Sequence, residues 1–208
     1  MKLKVICAVV LALVTFLSVN AKENIKGKTE FEMELKRKVA NVHTITSDFV
    51  QKQYISILAK PVEKKGSFYY KDPDQILLKF HDGDYISMTA SLFRMKNAGK
   101  VTKIKVGSNP MLHELRSILS ACMKGDVLDI TNKFSYTLTE KGATYTVVMK
   151  PRKRGRMKLK QILLEFDKKD MCLSKMIITQ PNEDYILYEF FNKKINATVD
   201  SRMFNVEK

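Results

Sequence analysis

The chain has 208 residues, 45% of them hydrophobic, and 37 Lys and Arg against 22 Asp and Glu give a formal net charge of +15. That length suits one domain with a sizeable core and requires no second one. Only three histidines and three cysteines are available for metal or thiol chemistry, and tryptophan is absent.

In chain order, Lys2 and Lys4 precede an apolar run from Val5 to Leu17, and Val19 and Ala21 have the spacing of a small-x-small cleavage site. The run is shorter than the roughly 20 residues that span a bilayer. Residues 1–21 therefore read as a secretory signal peptide, and 22–208 as a single exported domain. Cys7 leaves with the leader, and Cys122 and Cys172 remain, either as a disulfide or as two buried thiols. An exported basic chain is matched to anionic lipid or an acidic partner protein better than to nucleic acid.

Phe31, Leu35, Val39 and Val42 recur at helical spacing, which predicts a helix over Thr29 to Val42 with Thr29 as its N-cap. From Ser47 the period changes to two. The stretch "GSFYYKDPDQILLKFHDGDYISM", Gly66 to Met88, then reads as three strands separated by Asp, Pro and Gly turns. Phe68 and Tyr70, Ile76, Leu78 and Phe80, and Ile86 and Met88 fall at alternate positions, so one sheet face is apolar. Further strands are expected at Leu92–Lys96, Thr102–Val106, Lys133–Leu138, Tyr145–Lys150, Lys158–Phe166, Leu173–Thr179 and Tyr185–Phe191. One helix interrupts them. In "SNPMLHELRSILSACMKGD", Asn109 can cap, Pro110 can occupy the first turn, and Gly125 marks the stop. Its broad apolar face carries Leu112, Leu115 and Leu119. The expected fold is α+β and mainly β: one antiparallel sheet of about ten strands, large enough to curl or close, covered by two amphipathic helices.

Signs of catalysis are sparse. His43, His81 and His113 lack metal-ligand spacing, and there is no nucleophile elbow, phosphate loop or Cys-x-x-Cys pair. Asp72, Asp74, Asp82, Asp84, Asp167 and Asp170 sit in turns, where carboxylates commonly serve turn geometry. The expectation is a non-enzyme without cofactor or metal. The run "KPRKRGRMKLK" places Arg152, Lys153, Arg154 and Arg156 on a hairpin that could dock on an anionic membrane or an acidic partner, or could be merely solvated. No aromatic residues interleave with these charges, which argues against nucleic acid.

The ordered set of motifs resembles the LolA family of periplasmic lipoprotein carriers. Phe49 and Gln51 match its Phe-x-Gln strand, Gly66 and Phe68 its Gly-x-Phe strand, Pro73, Asp82 and Gly83 its turns, and Asn196, Asp200 and Phe204 its closing pattern. The resemblance implies a half-open, curled antiparallel β-barrel with the two helices as a lid, a periplasmic monomer whose apolar cavity shields acyl chains. Its expected lining is Phe68, Leu78, Phe80, Ile86, Met88, Phe93, Leu112, Leu115 and Leu119. It also implies a lipoprotein or other lipid cargo, an inner-membrane ABC exporter as donor and an outer-membrane acceptor. Two departures stand out: Asp72 occupies the place of an Arg that ties the family's lid helix shut, and Leu78 stands near a common Trp. The lid, Asn109 to Lys124, is therefore expected to be held mainly by apolar burial of Leu112, Leu115 and Leu119, or by a reversed latch in which Asp72 accepts from a basic residue such as Arg116. A different amphiphile such as a glycolipid, or an acidic envelope polymer bound without transport, remains as an alternative cargo.

Overall fold

The computed structural model describes residues 27–108, 110–126, 133–152 and 159–205, excepting the side chains of 107, 110–112, 114 and 115. The expected leader lies outside these residues. Residues 27–39 are helical (α1). Thr29 lies inside this helix and is not its cap, and Val42 lies beyond its end as a buried residue of the turn into the sheet.

Eleven antiparallel strands follow: β1 Thr44–Tyr54, β2 Val62–Lys71, β3 Gln75–Phe80, β4 Tyr85–Met88, β5 Leu92–Asn97, β6 Lys100–Lys105, β7 Phe134–Lys141, β8 Thr144–Pro151, β9 Gln161–Asp167, β10 Leu173–Thr179 and β11 Tyr185–Ile195. Helix α2, Pro110–Lys124, comes between β6 and β7. The sheet order is β6-β5-β4-β3-β2-β1-β11-β10-β9-β8-β7. Two meanders thus meet at the β1–β11 pair, and the sheet stays open, with β6 and β7 as its edges. Helix α2 links those edges in sequence and lies against the apolar face.

The two-residue period set by the sequence holds where it matters. Gly66 pairs with Phe80, Phe68 with Leu78, and Ile76 with Met88, so the large apolar residues of β2 to β4 share the inner face. The helices divide that face. Phe31 of α1 packs edge-on against Tyr145 and Phe166 at 5.2 and 5.5 Å, over the β8–β9 half. Leu119 and Met123 of α2 sit against Ile45, Phe68 and Phe190, over the β1, β2 and β11 half. The helices meet at Gly125, where φ is +73° and a Cβ would come within 2.7 Å of the Lys36 Cα. This glycine is needed both for the turn and for the crossing.

Several resemblance motifs acquire physical causes. A Cβ on Gly66 would lie 2.2 Å from the Lys79 carbonyl oxygen and 2.9 Å from the Phe49 ring, so the Phe-x-Gln and Gly-x-Phe strands fit by ring-on-backbone packing. Phe49 in turn packs edge-on against Phe80 at 5.2 Å. In the Asp-Gly turn, Asp84 is buried and accepts from Lys64 Nζ at 2.6 Å and from the Ala98 backbone N–H at 3.0 Å, tying two hairpins together. The Lys64 ammonium also holds the Asp82 carboxyl below the usual carboxylate range. The closing segment works as a strap: Asn196 Oδ1 accepts from His43 N–H at 2.8 Å, Asn196 Nδ2 donates to the Asn41 carbonyl at 2.8 Å, and Asp200 caps a short 3-10 turn, Ser201–Phe204. Phe204, fully buried, then covers Leu77 on the outer face.

Replacing Gly66 with Ala should lower the unfolding free energy by about 3 kcal/mol, the upper end of overpacking costs, because backbone and ring must both move. Urea titration checks this, and an unchanged midpoint would show that the sheet absorbs the methyl group.

A helix-roofed interior as candidate functional site

Phe68, Leu78, Phe80, Met88 and Phe93 are buried in the same cluster as Leu119, and Ile86, half-buried, packs against it. The strand positions picked from alternation therefore face one interior together with α2. Leu112 and Leu115 lie in the first turns of α2, and their side chains are outside the described residues.

Beneath Leu119 and Met123 the described side chains pack closely. The void between α2 and the sheet is only about 20 Å³, bounded by Ile45, Phe68, Leu119, Met123 and Phe190, with Ser47, Cys172 and Lys193 at its polar side. It has room for about one water. Where its side chains are described, α2 is thus packed against the sheet and does not stand off an open cavity. Met88, Met123, Met149 and Met176 are all buried in this core, and their unbranched thioether side chains repack readily around a new occupant.

Helix α2 carries a latch, two residues removed from the reversed form considered above. Arg116 Nη2 donates to Asp74 Oδ2 at 2.6 Å, with the two side chains 21% and 16% exposed. Asp72 instead accepts from the Tyr70 hydroxyl at 3.4 Å. Burial pushes the Tyr70 hydroxyl above its usual range, and the Asp72 charge adds to the shift. Arg116 Nε is buried without a hydrogen-bond partner, so the bridge uses one arm of the guanidinium fork. It is a single-point clasp on a helix otherwise held by Ile118, Leu119, Cys122 and Met123 in the core.

Both remaining cysteines are free and buried, so the disulfide alternative falls away. Burial pushes the Cys122 thiol up to about 12. Burial, aided by Asp170 and opposed by Lys193, does the same for Cys172. Protonated thiols of this kind are inert as nucleophiles.

Of the basic docking set, Arg152 is exposed just beyond β8, whereas Lys153, Arg154 and Arg156 lie outside the described residues. Strand directions put the β8–β9 connection at the same sheet end as the β1–β2 and β10–β11 loops. Sequence reading missed what that end also carries. Ile57 is 88% exposed and Leu58 is 45% exposed at the tip of the β1–β2 loop. The loop is held in shape by Tyr54 stacked on Tyr185 at 4.3 Å and by Ser56 N–H donating to Asp184 Oδ1 at 2.8 Å.

The fold is thus an open antiparallel sheet whose apolar face is roofed by helices. The family model described as outer membrane lipoprotein carrier protein LolA matches residues 40–207, and the chain belongs to the LolA family. Among solved structures, it is similar to an uncharacterized conserved protein from Thermus thermophilus, with TM-score 0.53 and 8% identity over 88% of this chain and 94% of that one. It is also similar to a putative outer membrane lipoprotein-sorting protein domain from Vibrio parahaemolyticus, with TM-score 0.49 and 8% identity over 85% and 95% of the two chains. A third similar structure is the Mycobacterium tuberculosis lipoprotein LppX, with TM-score 0.41 and 9% identity over 81% and 95%. A search of curated proteins finds no significant match. Among the described residues, no helix is long and apolar enough to cross a membrane.

Arg116→Gln and Asp74→Asn should each weaken α2 seating by about 1–2 kcal/mol, raising release of a bound fluorescent acyl probe about 5- to 30-fold. The double variant should release no faster than either single one, because only one contact is lost. Stopped-flow fluorescence checks the cycle, and additive effects would reject the latch.

Proposed function

We propose that this protein is a periplasmic carrier, exported by its leader, that shields the acyl chains of lipoproteins under α2 and ferries them from the inner to the outer membrane. The observation that carries this reading is the apolar inner face of the sheet, covered by a helix that the Arg116–Asp74 pair clasps to the sheet. Membership of the LolA family supports it. The donor is an ABC exporter and the recipient an outer-membrane acceptor; neither step needs covalent chemistry or a cofactor.

Phe68, Leu78, Phe80, Ile86, Met88, Phe93 and Leu119 form the wall that cargo meets when α2 lifts, with Leu112 and Leu115 on the lifting helix. Arg152, Lys153, Arg154 and Arg156 bring the sheet end that also carries Ile57 and Leu58 toward an anionic surface. Each cation close to such a surface contributes about 1 kcal/mol.

Protein purified from its host without detergent should yield acylated lipoprotein in an organic extract read by mass spectrometry. A different amphiphile in the extract would redirect the cargo assignment, and a lipid-free extract would favour polymer binding. Replacing the four basic residues with Gln should reduce binding to phosphatidylglycerol vesicles severalfold and flatten its salt dependence, since screening acts on those charges. Unchanged binding at low salt would leave them as a solvated hairpin.

A further inference from the structure

At the opposite end of the sheet from the basic connection, β11 breaks its alternation. Tyr188 and Phe190 are buried on the inner face, and strict alternation would place Asn192 there next. Instead Asn192 adopts φ +54°, the β1–β11 register shifts between Thr46 and Asp48, and Asn192 Nδ2 donates to Asp48 Oδ2 at 2.9 Å. The irregularity turns Lys193 inward, which is how such bulges redirect a side chain. Lys193 then lines the void beneath Leu119 and Met123 with its side chain 12% exposed.

Ser47 lies on β1 within this shifted register and lines the same void. It is 6% exposed, and its Oγ has no hydrogen-bond partner. A buried hydroxyl that no protein group pairs, lining a void, is free to pair with a polar group of a bound molecule that displaces water from it. The charge around it narrows the chemistry. Lys193 Nζ donates to Asp170 Oδ1 at 3.1 Å, lies 3.8 Å from Asp167 Oδ2 and is 3.5 Å from the Cys172 carbonyl. One ammonium beside two carboxylates leaves no surplus positive charge for a further anion, and the nearby Cys172 thiol is neutral. A neutral acceptor fits, whereas a carboxylate is repelled.

We propose that Ser47 and Lys193 form a subsite for the neutral ester or amide carbonyl at the head of an acyl chain, so that the carrier selects esterified or amidated acyl groups over free fatty acids. The carbonyl accepts from the Ser47 hydroxyl beside Lys193, and the chain runs along β1 toward Phe49. The inference rests on the acyl-carrier reading above and specifies which end of the cargo lies at which end of the sheet.

Three pyrene probes of matched chain length, a free acid, its methyl ester and the corresponding hydrocarbon, should be titrated against the full chain by fluorescence. Ser47→Ala should weaken the ester about fivefold, the worth of one hydrogen bond, while leaving the hydrocarbon within about twofold. Asp170→Asn should strengthen acid binding severalfold without a matching change for the ester. If Ser47→Ala leaves the ester unchanged, or weakens hydrocarbon and ester alike, the subsite is overturned while the carrier reading stands. If none of the probes binds the wild-type chain, both fall. Unchanged melting temperatures of the variants exclude misfolding as the cause.

Discussion

An eleven-stranded open sheet with one apolar face cannot leave that face in water, and most of the architecture follows from how it is covered. Closing the sheet would bury the face permanently. Here the edges β6 and β7 stay apart, and the chain between them crosses as α2. A helix satisfies its own backbone hydrogen bonds, so it can leave the sheet without stranding a ladder of donors and acceptors. A covering strand could not. The exposed edge is protected separately, since β6 presents Lys100, Lys103 and Lys105 to solvent, and charged edges discourage pairing with another chain.

The proposed transport of an acylated cargo sets the opposing requirement. Each methylene exposed to water costs about 0.8 kcal/mol, so a lipid anchor of some 40 methylenes would cost on the order of 30 kcal/mol bare. The carrier must supply an equivalent apolar surface and still surrender the load to the next acceptor. Under the proposed function, a packed interface that opens meets both needs, because α2 would return to the sheet as the acyl chains depart and one apolar contact would replace another. The buried methionines suit such exchange, and the rigid frame lies elsewhere: in the Gly66–Phe49 packing, the Asp84 junction of two hairpins and the Asn196 strap.

Alternation and turn chemistry made the strands legible, and helix-stop chemistry placed α2, because these signals are local. Leu173–Thr179 emerged with the bounds read from sequence, and Phe68, Leu78 and Phe80 could be assigned to the inner face by parity alone. What stayed hidden depends on geometry beyond the period. Asp72 and Asp74 are equivalent by composition, and only the turn decides that Arg116 reaches the second. Lys193 lies beyond the strand expected at Tyr185–Phe191, and only the left-handed Asn192 turns it inward. Leu77 reads as solvent-facing until the closing segment folds Phe204 over it. The close packing beneath Leu119 and Met123 was likewise illegible, since an apolar wall looks the same in sequence whether it meets a helix or a lipid.

The central claim is that α2 is a lid that leaves the inner face when acyl chains enter. Pulsed electron resonance between spin labels at Lys124 on α2 and Lys79 on the outer side of β3, both exposed, measures this directly. In the cargo-free chain the distance distribution should be narrow, and saturation with an acyl ester should shift it to longer distances with greater breadth. An identical distribution with and without demonstrably bound acyl ester would contradict the account.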